Sequence, residues 1–154
     1  MATAILTHLK VGDKAPDFSI KNEKGEPTSL KQFAGKKLVL YFYPKDDTPG
    51  CTAESCDLRD NYQQFISKGY EVLGVSADDE KSHQKFIKKF NLPFHLLSDT
   101  DHVVCEAYGV WQEKTLFLLT FMGIVRTTFV ISEQGIIEKI ITAVDTKNHS
   151  NQLL

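Results

Sequence analysis

Lys37-Leu38-Val39-Leu40-Tyr41-Phe42-Tyr43 runs directly into Pro44-Lys45-Asp46-Asp47-Thr48-Pro49-Gly50 and then Cys51. The first seven residues are almost wholly apolar and aromatic. A run of that length, apolar and aromatic and stopped by proline, predicts a central strand covered on both faces. The polar Gly/Pro loop after it leads into helical spacing, with Leu58, Tyr62, Phe65 and Ile66 recurring from about Cys51 to Ser67. A buried strand, a loop and a helix that begins at a cysteine form the frame around which the other segments fall.

Downstream, Tyr70–Val75 predicts a second buried strand, and Phe86, Ile87 and Phe90 mark a helix that must end before Pro93. His95-Leu96-Leu97 is short and extended, and Val103–Tyr108 is helical. Arg126–Ile131 and Ile136–Ile141 form a hairpin about the Ser132-Glu133-Gln134-Gly135 turn. The residues after Ile141 read as a loose helix or tail. Upstream, Ala15–Ile20 predicts an edge strand and Asn22–Gly25 a turn. Ser29-Leu30-Lys31-Gln32 fits a capping box opening a short helix closed by Gly35. Strand and helix alternate and a hairpin closes the chain, which predicts an α/β three-layer sandwich with a mixed central sheet. No repeat or linker divides it, so residues 1–154 are expected to form one domain. In such folds chemistry gathers at the carboxyl ends of the strands. Tyr43 is at such an end and Cys51 just beyond it.

With 42% hydrophobic and 25% charged residues the composition is globular, and disorder is not expected. A formal charge of −2 offers no basic excess for nucleic acid or an anionic membrane. Met1–Leu6 lacks the basic and long apolar regions of a secretory signal. The most apolar stretch, Leu116–Val125, is too short to span a bilayer. A cytoplasmic protein is expected. Three cysteines is an odd count in a chain that needs no disulfide framework, which leaves burial, metal binding or redox chemistry as their roles.

Cys51 has two readings. A cytosolic cysteine is commonly an inert small hydrophobe in a core. Here it opens a helix instead, where unpaired backbone N–H groups and the helix dipole favour thiolate over thiol. Gly50 lets the backbone approach a small substrate, and the Thr48 hydroxyl is within reach of the sulfur. Cys56 is either inconsequential or the partner of Cys51. Five residues of regular helix separate the two Cα atoms by roughly 8.6 Å, beyond the ~7 Å reach of a disulfide. A Cys51–Cys56 bond therefore requires the first turns of the helix to unwind. Cys105, in an apolar helix, reads as core, with a role as an alternative partner of Cys51 left open.

The segment Thr48-Pro49-Gly50-Cys51-Thr52-Ala53-Glu54-Ser55-Cys56-Asp57-Leu58-Arg59-Asp60, preceded by Tyr41-Phe42-Tyr43-Pro44, closely resembles the peroxiredoxins, and among them the bacterioferritin-comigratory-protein or PrxQ subfamily. Gly12–Phe18, Tyr108–Trp111 and Gly123–Ile131 extend the likeness in family order across most of the chain. The resemblance implies a thioredoxin-like fold and reduction of hydrogen peroxide and organic hydroperoxides through a sulfenic acid at Cys51. Thr48 and Arg126 would complete the peroxide site, with Pro44 shielding it and Gly50 lining it. Cys56 would resolve the sulfenic acid as an intramolecular disulfide, with thioredoxin or a similar dithiol as reductant. The resemblance also implies a monomer and no metal, haem or flavin. One segment departs from it. Thr115–Phe121 is more apolar than the family leads one to expect and reads as an association surface.

Three rivals use the same cysteines: a redox-switch binding protein whose helix unwinds on oxidation, a general disulfide reductase, and zinc binding by Cys51 and Cys56. The reductase lacks its Cys-x-x-Cys motif. His8, His83, His95, His102 and His149 show no ligand spacing with two cysteines and read as solvated surface groups.

Overall fold

The computed structural model describes residues 7–154, so the signal-peptide reading of Met1–Leu6 lies outside the described residues. The long apolar run becomes β3 (Lys37–Phe42). It stands at the middle of a five-stranded sheet of order β5-β4-β3-β8-β9. β4 (Tyr70–Ser76) and β5 (His95–Ser98) continue it in parallel on one side. β8 (Thr127–Ile131) and β9 (Ile137–Ile141) are antiparallel on the other, with a register shift at Val130/Ile131. The sheet is therefore mixed, as its sequence pattern predicts.

Pleating sends alternate residues of β3 to opposite faces, and both faces are covered. Leu38, Leu40 and Phe42 join a core with Phe18, Val104, Cys105 and Tyr108. Val39, Tyr41 and Tyr43 join a second with Cys51, Leu58, Phe65 and Phe86. The second core is roofed by α1 (Pro49–Asp60), α2 (Tyr62–Ser67), α3 (Glu80–Phe90) and α5 (His149–Leu153). The first is roofed by α4 (Val103–Ala107) and the amino-terminal segments. Three layers result.

Several local expectations change. The helix expected from Cys51 to Ser67 is two helices. At Asn61 the side-chain amide donates to the Asp57 carbonyl at 2.9 Å, the acceptor that the Asn61 backbone N–H reaches at 3.3 Å, and this side-chain bond competes with the helical one. Ser29 makes no capping bond, so the capping box does not form. Leu30–Phe33 is a single 3-10 turn, and residues just before it pair as β2 (Pro27–Ser29) with β1 (Ser19–Lys21). The segment without a sequence assignment, around Thr115–Phe121, is a separate antiparallel hairpin. It consists of β6 (Trp111–Leu116) and β7 (Leu119–Ile124), turning at Phe117-Leu118. No helix among the described residues is long and apolar enough to cross a membrane.

Candidate active site

α1 starts at Pro49, a residue well suited to a first helical position because its missing N–H would have no acceptor there. Thr48 is its extended N-cap and makes no side-chain cap bond. Cys51 thus lies in the first turn, among N–H groups that have no intrahelical acceptor. Its side chain is buried against the second core. Arg126, between β7 and β8, reaches over from the far side of β3. Its Nη2 donates to Cys51 Sγ at 3.3 Å and its Nη1 to Glu54 Oε1 at 2.7 Å. Gly50 is part of this geometry, since a Cβ there would lie 3.1 Å from Arg126 Nη2.

Gly50, Cys51 and Arg126 are brought together, with Thr48 at the N-cap of the same helix and Pro44 half-buried at the end of β3. The Thr48 hydroxyl donates to the Lys45 carbonyl at 2.9 Å, leaving its lone pairs, and not its proton, for a neighbour. Cys56 shares α1 with Cys51, and both thiols are free. Partial burial pushes the Cys56 thiol above its ordinary value. Cys105 belongs to the core on the opposite face of the sheet and is fully buried. Burial first, and then Asp99, hold its thiol far above the usual range.

Residues without a role in the sequence reading complete the surroundings. Glu54 is fully buried, with Arg126 on Oε1 and no hydrogen-bond partner among the described residues on Oε2. Burial raises its carboxyl to about 7 against the pull of Arg126. His149 Nε2 is 3.5 Å from that unpaired oxygen and 2.8 Å from Thr128 Oγ1. Its Nδ1 faces Gln152 Oε1 at 2.7 Å. Burial holds His149 below its ordinary value.

Below the loop, Asp46 accepts Tyr43 Oη at 2.6 Å on one oxygen, and Ser82 Oγ at 2.8 Å and His83 Nδ1 at 2.7 Å on the other. Burial works against charge on His83, yet the Asp46 carboxylate holds it above its ordinary value. Asp46, Asp78 and His83 place ligand-type atoms within 4.8 Å of one another, but each is already engaged with protein donors or acceptors. The expectation that the histidines are solvated fails for His83 and His149, which are both fully buried. Glu54 had one sequence signal, since three residues after Cys51 on a helix is the same face one turn on.

Known proteins match the chain over most of its length. Residues 11–140 match the AhpC/TSA family. The chain is 44% identical over 146 residues to Peroxiredoxin Bcp of Bacillus subtilis (strain 168), covering 95% of this chain and 93% of the relative. It superposes on a cysteine-to-serine mutant of Xylella fastidiosa PrxQ with a TM-score of 0.89 at 33% identity, covering 95% of this chain and 93% of the other. A Xanthomonas campestris bacterioferritin comigratory protein, whose structure was described for its alkyl peroxide reduction activity, superposes at 0.85 with 35% identity. There 96% of this chain and 94% of the other are covered.

Proposed function

The chain belongs to the AhpC/TSA family, among its Bcp/PrxQ peroxiredoxins, and from that premise we propose that Cys51 is the nucleophile that attacks the peroxide. The enzyme takes a peroxide and a reductant. The observation that carries the assignment is the 3.3 Å contact from the Arg126 guanidinium to Cys51 Sγ, in the first turn of α1. Arg126 keeps its charge at every relevant pH and offers donors in a fixed fork. It steadies the thiolate, and it steadies the charge growing on the departing oxygen.

In the first step the Cys51 thiolate bonds to the distal oxygen and the O–O bond breaks. The departing oxygen takes a proton and leaves as water or alcohol. Cys51 is now a sulfenic acid. Thr48 accepts a hydrogen bond from the peroxide, Gly50 lets the backbone approach it, and Pro44 limits water. The amino-terminal turns of α1 then unwind, because an intact helix holds Cys51 and Cys56 too far apart. Cys56 sulfur attacks the sulfenic sulfur, water leaves and a disulfide forms. An external dithiol, proposed as thioredoxin, returns two electrons and two protons by exchange. Hydrogen peroxide and alkyl hydroperoxides are the proposed substrates. All these groups come from one chain, and residues 1–154 act as one catalytic domain.

Peroxide consumption coupled to thioredoxin, thioredoxin reductase and NADPH tests the assignment. Turnover is expected to vanish in Cys51→Ser, to fall sharply in Cys56→Ser and to persist in Cys105→Ser. Unimpaired turnover in Cys56→Ser would remove it from the cycle.

A further inference from the structure

The β6–β7 hairpin stands outside the central sheet and is paired only within itself among the described residues. Leu116 and Leu119 are opposite one another, leaving Phe117-Leu118 as a two-residue turn. Both turn residues have positive φ, 50° and 67°, the geometry for which Asn-Gly is suited and bulky side chains are not. They are also 89% and 98% exposed. Leu116, Leu119, Phe121 and Met122 are exposed beside them. Along the strands Leu116, Leu119 and Phe121 fall on one face of the hairpin and Met122 on the other, so the turn and that one face offer on the order of 600 Å², taking roughly 170 Å² for each side chain. A monomer's largest apolar patch is commonly about 300–600 Å², and each partner in a standard protein interface contributes about 800 Å².

The charge pattern indicates the occupant. From Thr115 to Val125 there is no charged residue. Such a patch has nothing to select a charged partner and nothing to repel its own copy. β7 also lacks the lysines and prolines that usually protect an edge strand. A lipid surface fits less well. The open strand edges carry backbone N–H and C=O groups that hydrocarbon cannot satisfy, and no basic cluster on the hairpin would draw it to anionic headgroups.

We infer that the β6–β7 hairpin is the self-association surface of this chain, packing against the same hairpin of a second copy across a two-fold axis. The contact is isologous, with Leu119 and Phe121 meeting their counterparts and the Phe117-Leu118 turn covered at its ends. The hairpin contributes no reacting group, and its Lys114, whose charge is felt by Arg126 and Cys51, is left in place by both variants below.

Sedimentation of the full-length reduced protein over a wide concentration series tests this. Two variants accompany it, Phe121→Lys and the double variant Phe117→Asn/Leu118→Gly, which suits the turn better than the native pair. The native protein is expected at twice the mass of one chain and both variants at the mass of one chain, with peroxide turnover changed less than twofold. A native protein that stays at the mass of one chain overturns the inference. So does a double mass that survives both substitutions. Flotation of a monomeric native protein with phosphatidylcholine vesicles, lost in Phe121→Lys, would assign the patch to lipid instead.

Discussion

Two buried carboxylates lie on either side of Cys51 in the chain, Asp46 in the loop before it and Glu54 in α1 after it, each beside a buried histidine, and they behave in opposite ways. Asp46 has both oxygens filled by Tyr43, Ser82 and His83, and its histidine is drawn toward the charged form. Glu54 has one oxygen filled by Arg126 and the other without a hydrogen-bond partner, 3.5 Å from a His149 pushed toward neutrality. Each pair is a carboxylate beside an imidazole, and the burial is similar. What differs is the number of donors supplied to the carboxylate. A filled carboxylate is a fixed strut for the loop below Pro44. A half-filled one is raised to about 7 by its burial.

Removing the strut's charge should have the largest effect. Asp46→Asn keeps an acceptor for Tyr43 but leaves His83 buried without its counter-charge. Breaking a buried pair from one side costs about 3–5 kcal/mol, so the urea midpoint should fall markedly. A loss below about 1 kcal/mol would mean that Asp46 is not the strut described.

Glu54→Gln should act on catalysis more than on stability. The amide still accepts from Arg126, but the charge that orients the guanidinium is gone. A loss of roughly tenfold in kcat/KM is expected, equivalent to about 1.4 kcal/mol. The ratio of native to variant rates should climb as pH rises, with its midpoint near 7. A ratio flat with pH would show that Glu54 ionisation does not matter to Arg126.

The pairs also differ in what they do to stability as pH changes. His83 is raised in the folded state, so its contribution is complete below about 6.5, the unfolded value, and is lost as pH climbs through the folded one. Glu54 is raised too, so its protonated form favours folding below its unfolded value, and that contribution declines up to about 7. His149 is lowered, and its contribution is lost in the other direction, as pH falls. Comparing unfolding curves of the native protein and His83→Gln from acid to mildly alkaline pH isolates the first. The native advantage should shrink with rising pH, and an advantage that grows would reverse the assignment.

These differences explain what the sequence could and could not convey. β3 was legible because a strand buried on both faces needs apolar residues at every position, whatever it packs against. The position of Cys51 was legible because Pro49 and Gly50 mark a helix start locally. His83 and His149 were not, since their burial depends on Asp46 and Thr128, which are far away in sequence. The β6–β7 hairpin was missed for a local reason: its turn is Phe117-Leu118, without the Gly, Asn or Asp that signals such a turn. Glu54 was visible only as a spacing, and its missing donor is a property of the packed core.

The smallest expected effect tests how firmly Arg126 is held. In Gly50→Ala the new Cβ would be 3.1 Å from Arg126 Nη2 and 3.8 Å from Cζ, so the guanidinium must yield by a few tenths of an ångström. Arg126 reaches the carboxylate through Nη1 alone and the sulfur through Nη2 alone, and is free to pivot about the first. The pivot lengthens the contact to Cys51 and leaves the Asp46 strut untouched. A fall of about two- to fivefold in kcat/KM is expected, below about 1 kcal/mol, with no change in unfolding midpoint because Gly50 has no positive φ that a side chain would strain. A fall as large as that of Glu54→Gln would mean that the guanidinium is clamped, and that the half-filled carboxylate is a more rigid anchor than its single hydrogen bond implies.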